Sequence, residues 1–140
     1  MLGLIRIMLH TARIFLGLVF LIAGVNGYFV IFGYEAFIQN SPEALKLFEF
    51  EYLLIFEKSL EIICSVLLLF NRFIPLALSI LAPLITNIFL LHLFVDHSLL
   101  PLVTALVIVY CFMLFQYKRN FISIFEKSPK LTFGIKGGKL

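Results

Sequence analysis

Few residues of this chain are placed where they could do chemistry. The polar side chains that a solvated surface does not explain are those inside apolar stretches: Asn26, Glu57, Lys58, Glu61, Asn87 and His92. Tyr52 to Phe70 reads YLLIFEKSLEIICSVLLLF, with Glu61 near its centre. If this stretch is a helix, Glu57, Glu61 and Ser65 share one face, with Cys64 at its flank. A carboxyl group at mid-depth in lipid is costly, so it is by default a candidate for a functional site. Two roles fit Glu61. It binds a ligand or exchanges a proton, or it stays hydrogen-bonded to polar neighbours and ties helices together. Gln or Ser would serve the second role at lower cost, which keeps the first in play. Lys58 stands three residues before Glu61, where it can pair with it or snorkel outward. An isolated His92 is more often an interfacial or packing histidine than a ligand, and no metal site is expected.

The rest of the chain must position these residues, and its composition says in what solvent. Of 140 residues, 62% are hydrophobic and 14% charged, with a mean hydropathy of +1.10. A soluble domain of this size has too little interior to hide so much apolar surface. The expectation is an all-α integral membrane protein: one domain over residues 1–140, a four-helix antiparallel bundle in a bilayer. Its spans are expected at about 14–32, 52–70, 75–95 and 99–116, with an outer loop at 33–51 and a basic tail at 117–140. The first apolar run is longer than the roughly 7–15 residues of a signal peptide's core, so an uncleaved span is expected.

Local signals refine this outline. Ser41-Pro42-Glu43 is a helix start, with Ser as cap, Pro at the first helical position and an acid in the first turn. Leu45, Leu47 and Phe48 would give that short helix an apolar side. Pro83 removes a backbone donor within the third span, where a kink is expected. Gly17 and Gly24 fall on one face of the first span and invite close approach of a neighbour. Arg13 at its inner edge is expected to snorkel to the headgroups. Cys64 and Cys111 form no C-x-x-C pair and read as small buried hydrophobes.

Charge placement gives orientation. Arg6, Arg13, Arg72, Lys118 and Arg119 fall at one set of ends, while Glu35, Glu43, Glu49, Glu51 and Asp96 fall at the other, with Lys46 and Lys58 as the exceptions there. Both termini are therefore expected in the cytoplasm, in a multi-pass protein of the cell membrane. The tail also carries Lys127, Lys130, Lys136 and Lys139, which suits anionic headgroups better than nucleic acid. From the helical rise, Asn26 and Asn87 lie within about 5 Å of the depth of Glu61. A polar layer of Asn26, Glu61 and Asn87 follows as an expectation, with Glu57, His92 and Asp96 continuing it outward. Among familiar catalytic signatures, G-x-S-x-G, H-E-x-x-H, a phosphate loop, a dinucleotide fingerprint and C-x-x-C-H are all missing, which argues against a hydrolase or a nucleotide-driven pump.

RIFLGLVFLIAGVNGY (Arg13 to Tyr28), EIICSVLLLFNRFIPLAL (Glu61 to Leu78) and LAPLITNIFLLHLFVDHSLLP (Leu81 to Pro101) together resemble the DoxX family of small membrane proteins. The resemblance runs from about Arg13 to Arg119. It departs from the family's pattern at Gly27-Tyr28, where relatives often carry a basic residue, and at Cys64-Ser65, where glycines are common. It implies a four-helix membrane bundle and an association with sulfur or thiol redox, often linked to quinone. On that basis an accessory subunit of a quinone-linked redox system is expected, with Glu61 as the proton-accepting group. Asn26 and Asn87 would orient Glu61, and Glu57 and His92 would line the path to it. The alternatives are an assembly or interaction protein without catalysis and a small-solute transporter. Whether the chain pairs with a redox or assembly partner or with copies of itself stays open.

Overall fold

The computed structural model describes residues 1–39, 41–46, 49–125 and 127. Every regular element among them is helical: α1 (Leu2–Ile31), α2 (Pro42–Lys46), α3 (Glu51–Leu69), α4 (Ile74–Phe94), α5 (Leu100–Gln116) and α6 (Lys118–Phe121), with a closing 3-10 turn at Ile122–Phe125. Two of them, α1 and α4, are each long and apolar enough to cross a membrane. The segment Lys118–Phe125 turns from α5 by 76°. With 19 residues, α3 has the length to cross but carries Glu57, Lys58 and Glu61.

The chain's own turn chemistry sets the ends. At the end of α1, Tyr34 N–H bonds to the Phe29 carbonyl at 2.8 Å and Gly33 N–H to that of Val30 at 3.0 Å. Gly33 takes φ +76°, where glycine carries no steric penalty. The same motif closes α3 with Asn71 at φ 56°: Arg72 N–H reaches the Leu67 carbonyl at 2.9 Å and Asn71 N–H that of Leu68 at 3.1 Å. These two motifs satisfy carbonyls that would otherwise be orphaned at the helix ends.

The first helix is longer than the sequence suggests. It has 30 residues and begins at Leu2 rather than near residue 14. Arg6, His10 and Arg13 interrupt the apolar run and so read as a boundary, yet none of them breaks a helix. α2 begins at Pro42, where the cap signal lies, while Leu47 and Phe48 fall outside the described residues. α4 runs unbroken through Pro83. Of the tail, 117–125 and Lys127 are described, and the remaining lysines lie outside the described residues.

α1 packs against α3 and α5, α3 against α4, and α4 against α5, with the α1–α3 seam the most extensive. Glycines make that seam tight. A Cβ on Gly17 would stand 2.8 Å from the Leu69 side chain, and one on Gly24 would stand 2.6 Å from Ile62 Cγ1. Leu16, Phe20, Leu68, Leu78, Leu81 and Met113 fill the core. Tyr110 donates from α5 to the Leu78 carbonyl on α4 at 2.7 Å.

Two expectations are corrected at this level. Arg13 does not snorkel: it is 9% exposed, and its Nη1 donates to the carbonyls of Leu68 and Leu69 at the end of α3. A cation at a helix C-terminus is favourable, and the glycine-lined seam brings α3's last carbonyls within its reach. Cys111 is exposed on α5, whereas Cys64 is buried, and both are free thiols.

Candidate functional site

A cavity of about 370 Å³ opens between α1, α3, α4 and α5, with Ile38, Gln39, Ser41 and Leu45 of the loop region at its rim. Asn26, Glu57, Glu61, Asn87 and His92 all line it, together with Lys58 and Asp96. Its other walls are aliphatic or aromatic, among them Phe20, Ile88 and Leu106. This size and make-up suit a small molecule with a mainly apolar body.

The charged group belongs to α3. Because Glu57 and Glu61 are one turn apart on the buried face, both carboxylates point inward: Glu57 is 9% exposed and Glu61 wholly buried. Lys58 Nζ donates to Glu61 Oε1 at 2.9 Å and lies 3.5 Å from Glu57 Oε1. One ammonium is thus shared by two carboxylates. Glu61 Oε2 is buried and has no hydrogen-bond partner among the described residues. A buried acceptor in that state carries a desolvation cost that a donor would relieve.

The cavity gathers the expected residues, but the expected polar layer is not hydrogen-bonded as such. Asn26 turns to the loop instead of Glu61: its Nδ2 donates to the Ile38 carbonyl at 3.1 Å, and its Oδ1 accepts from Ile38 N–H at 2.9 Å. The amide thus serves both backbone groups of one loop residue and pins the loop beside the cavity mouth. Asn87 lines the cavity from an exposed position on α4. The hydroxyl of Thr86 returns to its own helix, donating to the Ala82 carbonyl at 2.8 Å.

His92 Nδ1 lies 2.8 Å from the Ile88 carbonyl. A carbonyl can only accept, so this nitrogen carries the hydrogen. Asp96, beyond the end of α4, accepts from Ser98 N–H at 3.0 Å. That bond is the main reason its carboxyl is held below the ordinary range. No group of three or more His, Cys, Asp or Glu that could hold a metal ion occurs among the described residues.

Sequence reasoning undervalued two residues. Lys58, weighed as a pair partner or a snorkelling cation, is the hub of the charged group, and its spacing of three from Glu61 is the signal that points to it. Ile38 carries no signal, because nothing in an apolar loop residue shows that its backbone will be gripped by an asparagine on α1.

The fold and site define a helical protein with two helices suited to cross a membrane and an acidic, apolar-walled cavity between four packed helices. No family model matches the chain, and no curated protein or solved structure does so either.

Proposed function

We propose that the chain is a DoxX-like integral membrane protein of the cell membrane that serves as an accessory subunit of a quinone-linked sulfur or thiol redox system. On this reading α1, α3, α4 and α5 are four antiparallel spans, with both termini cytoplasmic. The observation that carries it is Glu61: a fully buried carboxylate with one oxygen unpartnered among the described residues, in the polar part of the lining of a cavity of about 370 Å³ whose remaining walls are apolar. The arrangement of α3 supports the spanning role. Its charges turn inward, while Tyr52, Phe56, Ile63 and Val66 are exposed, so the face offered to lipid is apolar.

The residues present fit a quinone ring: apolar walls for its body, and a polar group at one side for its oxygens. A bound quinone would supply two-electron chemistry coupled to two protons. Glu61 is placed to hold or pass a proton at Oε2. Lys58 holds Glu61 in position through Oε1. Asn26 keeps the 34–39 loop beside the mouth, and the aliphatic walls limit water.

The test is Glu61→Gln in membranes containing the chain and its partner, with quinol formation followed optically. Loss of a positioned acid–base group is expected to slow turnover about a hundredfold or more, with the partner still co-purifying. Unchanged turnover would refute the proton role.

A further inference from the structure

The cavity carries more negative charge than its own cation neutralises. Three carboxylates line it, those of Glu57, Glu61 and Asp96, against one ammonium, that of Lys58. The excess is two negative charges while His92 is neutral and one when its ring is protonated. Glu61 is wholly buried on this wall, and its Oε2 has no partner among the described residues. Glu57, one turn nearer the rim, is 9% exposed, and its contact with Lys58 Nζ is 3.5 Å, long for a charge-assisted hydrogen bond. Asp96 is half-buried beside the rim. The approach is acidic as well. The rim is built from the α1–α3 connection, where Glu43 stands between the rim residues Ser41 and Leu45, and Glu35, Glu49 and Glu51 are exposed. Such a mouth concentrates cations.

We propose that the cavity binds an organic cation with an apolar body, its charge beside Glu57 and its body among the aliphatic walls. Glu57 is the carboxylate a ligand entering from the rim can reach. Glu61 contributes through its field, without contact, because charges interact strongly where water is excluded. The amides of Gln39 and Asn87, which also line the cavity, each present a carbonyl oxygen that a cation's positive end can approach. A bare metal ion fits less well: no group of three or more His, Cys, Asp or Glu that could hold one occurs among the described residues. A quaternary ammonium needs no such ligand set. Its charge is spread over methyl groups that the walls can cover, and only the surplus of negative charge has to be met. This inference goes beyond the redox reading and rests on none of it.

Equilibrium binding of labelled phenyltrimethylammonium to the purified full-length chain, in nanodiscs of zwitterionic lipid with empty nanodiscs as background, tests it. The competitors are benzenesulfonate, which keeps the ring and reverses the charge, and tetramethylammonium and sodium ion, which keep the charge and lack the ring. Phenyltrimethylammonium is expected to bind about tenfold or more tighter than any of the three. Glu57→Gln should weaken it about tenfold, whereas Glu35→Gln, on the exposed loop and screened by water and salt, should change it by less than about twofold. The four probes are compared on the unaltered chain, so a folding defect in a variant leaves the test intact. No binding of phenyltrimethylammonium, or displacement by benzenesulfonate as effective as by the cation itself, overturns the inference. Equal displacement by sodium or tetramethylammonium overturns the apolar body, and equal losses in Glu57→Gln and Glu35→Gln overturn the cavity as the place of binding. Each of these outcomes is separate from quinol formation, so failure here leaves the redox reading to its own test.

Discussion

Asn26 gives the sharpest test of how the site is assembled. Asn26→Leu keeps the approximate shape of the side chain and removes both hydrogen bonds to Ile38, at 2.9 and 3.1 Å. Each is a neutral bond worth about 0.5–1.5 kcal/mol net, so the pair holds the loop by about 1–3 kcal/mol. At 1.4 kcal/mol per factor of ten, local opening of the loop should rise about five- to a hundredfold. The assay is hydrogen–deuterium exchange in nanodiscs, read on the peptide spanning 34–39, where the Ile38 amide should exchange faster by that factor. Asn26→Asp should be worse than half as damaging. It keeps an acceptor for Ile38 N–H but sets a second oxygen against the Ile38 carbonyl. Exchange in α3 should barely change in either variant, because Asn26 makes its bonds to the loop. Unaltered exchange at Ile38, or a change centred on Glu61, would refute the latch and restore a polar layer joining Asn26 to Glu61.

Three other perturbations probe the frame. Arg13→Met removes a cation from the carbonyls of Leu68 and Leu69; thermal unfolding in micelles should show a loss of about 2 kcal/mol, whereas a loss under about 0.5 would mean the guanidinium is solvated after all. Lys58→Met strands the buried Glu61 carboxylate and should cost about 3–5 kcal/mol, and adding Glu61→Leu should recover most of it; equal stability of the single variant and the parent would show that the pair is not desolvated. Asp96 has its folded pKa lowered, so its contribution to stability is present above the ordinary value of 3.8 and fades as pH falls below that value through the lowered one; Asp96→Asn should flatten this acid limb of the melting curve, and an identical limb would sink the assignment to Ser98.

Those perturbations also separate what the sequence could tell from what it could not. Most helix ends were legible because apolar runs, Pro42, Gly33 and Asn71 act locally, each through its own backbone preference; the start of α1 at Leu2 was not, because Arg6, His10 and Arg13 mimic a boundary without breaking the helix. The inward face of α3 was legible because Glu57, Glu61 and Ser65 repeat at helical spacing. Partners were not. Asn26 sits near the depth of Glu61, and depth along parallel axes is all that spacing provides. Which neighbour it meets depends on rotation of α1 and on the path of the 33–39 loop, and neither leaves a mark in a single sequence. Arg13 misled for a related reason. An arginine near the end of an apolar run usually reaches water, and only the close α1–α3 approach puts the Leu68 and Leu69 carbonyls nearer than solvent.

The same approach explains why the charged group and the latch come together. A Cβ on Gly24 would stand 2.6 Å from Ile62 Cγ1 and 3.2 Å from the Lys58 carbonyl oxygen, and one on Gly27 would run into the Lys58 stem, 2.8 Å from its Cε. Without side chains there, α3 can lie close enough to α1 for Lys58 to stretch its methylenes over Gly27. That fixes where the ammonium ends, beside Glu57 and Glu61. Asn26, between these two glycines in sequence, reaches the loop from the same turn of α1. One turn of helix therefore sets both the position of the cation inside the cavity and the position of the loop at its mouth. A side chain at Gly27 would have to move Lys58 before it moved any backbone. Its first effect should fall on the Lys58–Glu61 pair, which makes Gly27 a position from which the charge of the cavity can be altered without touching a charged residue.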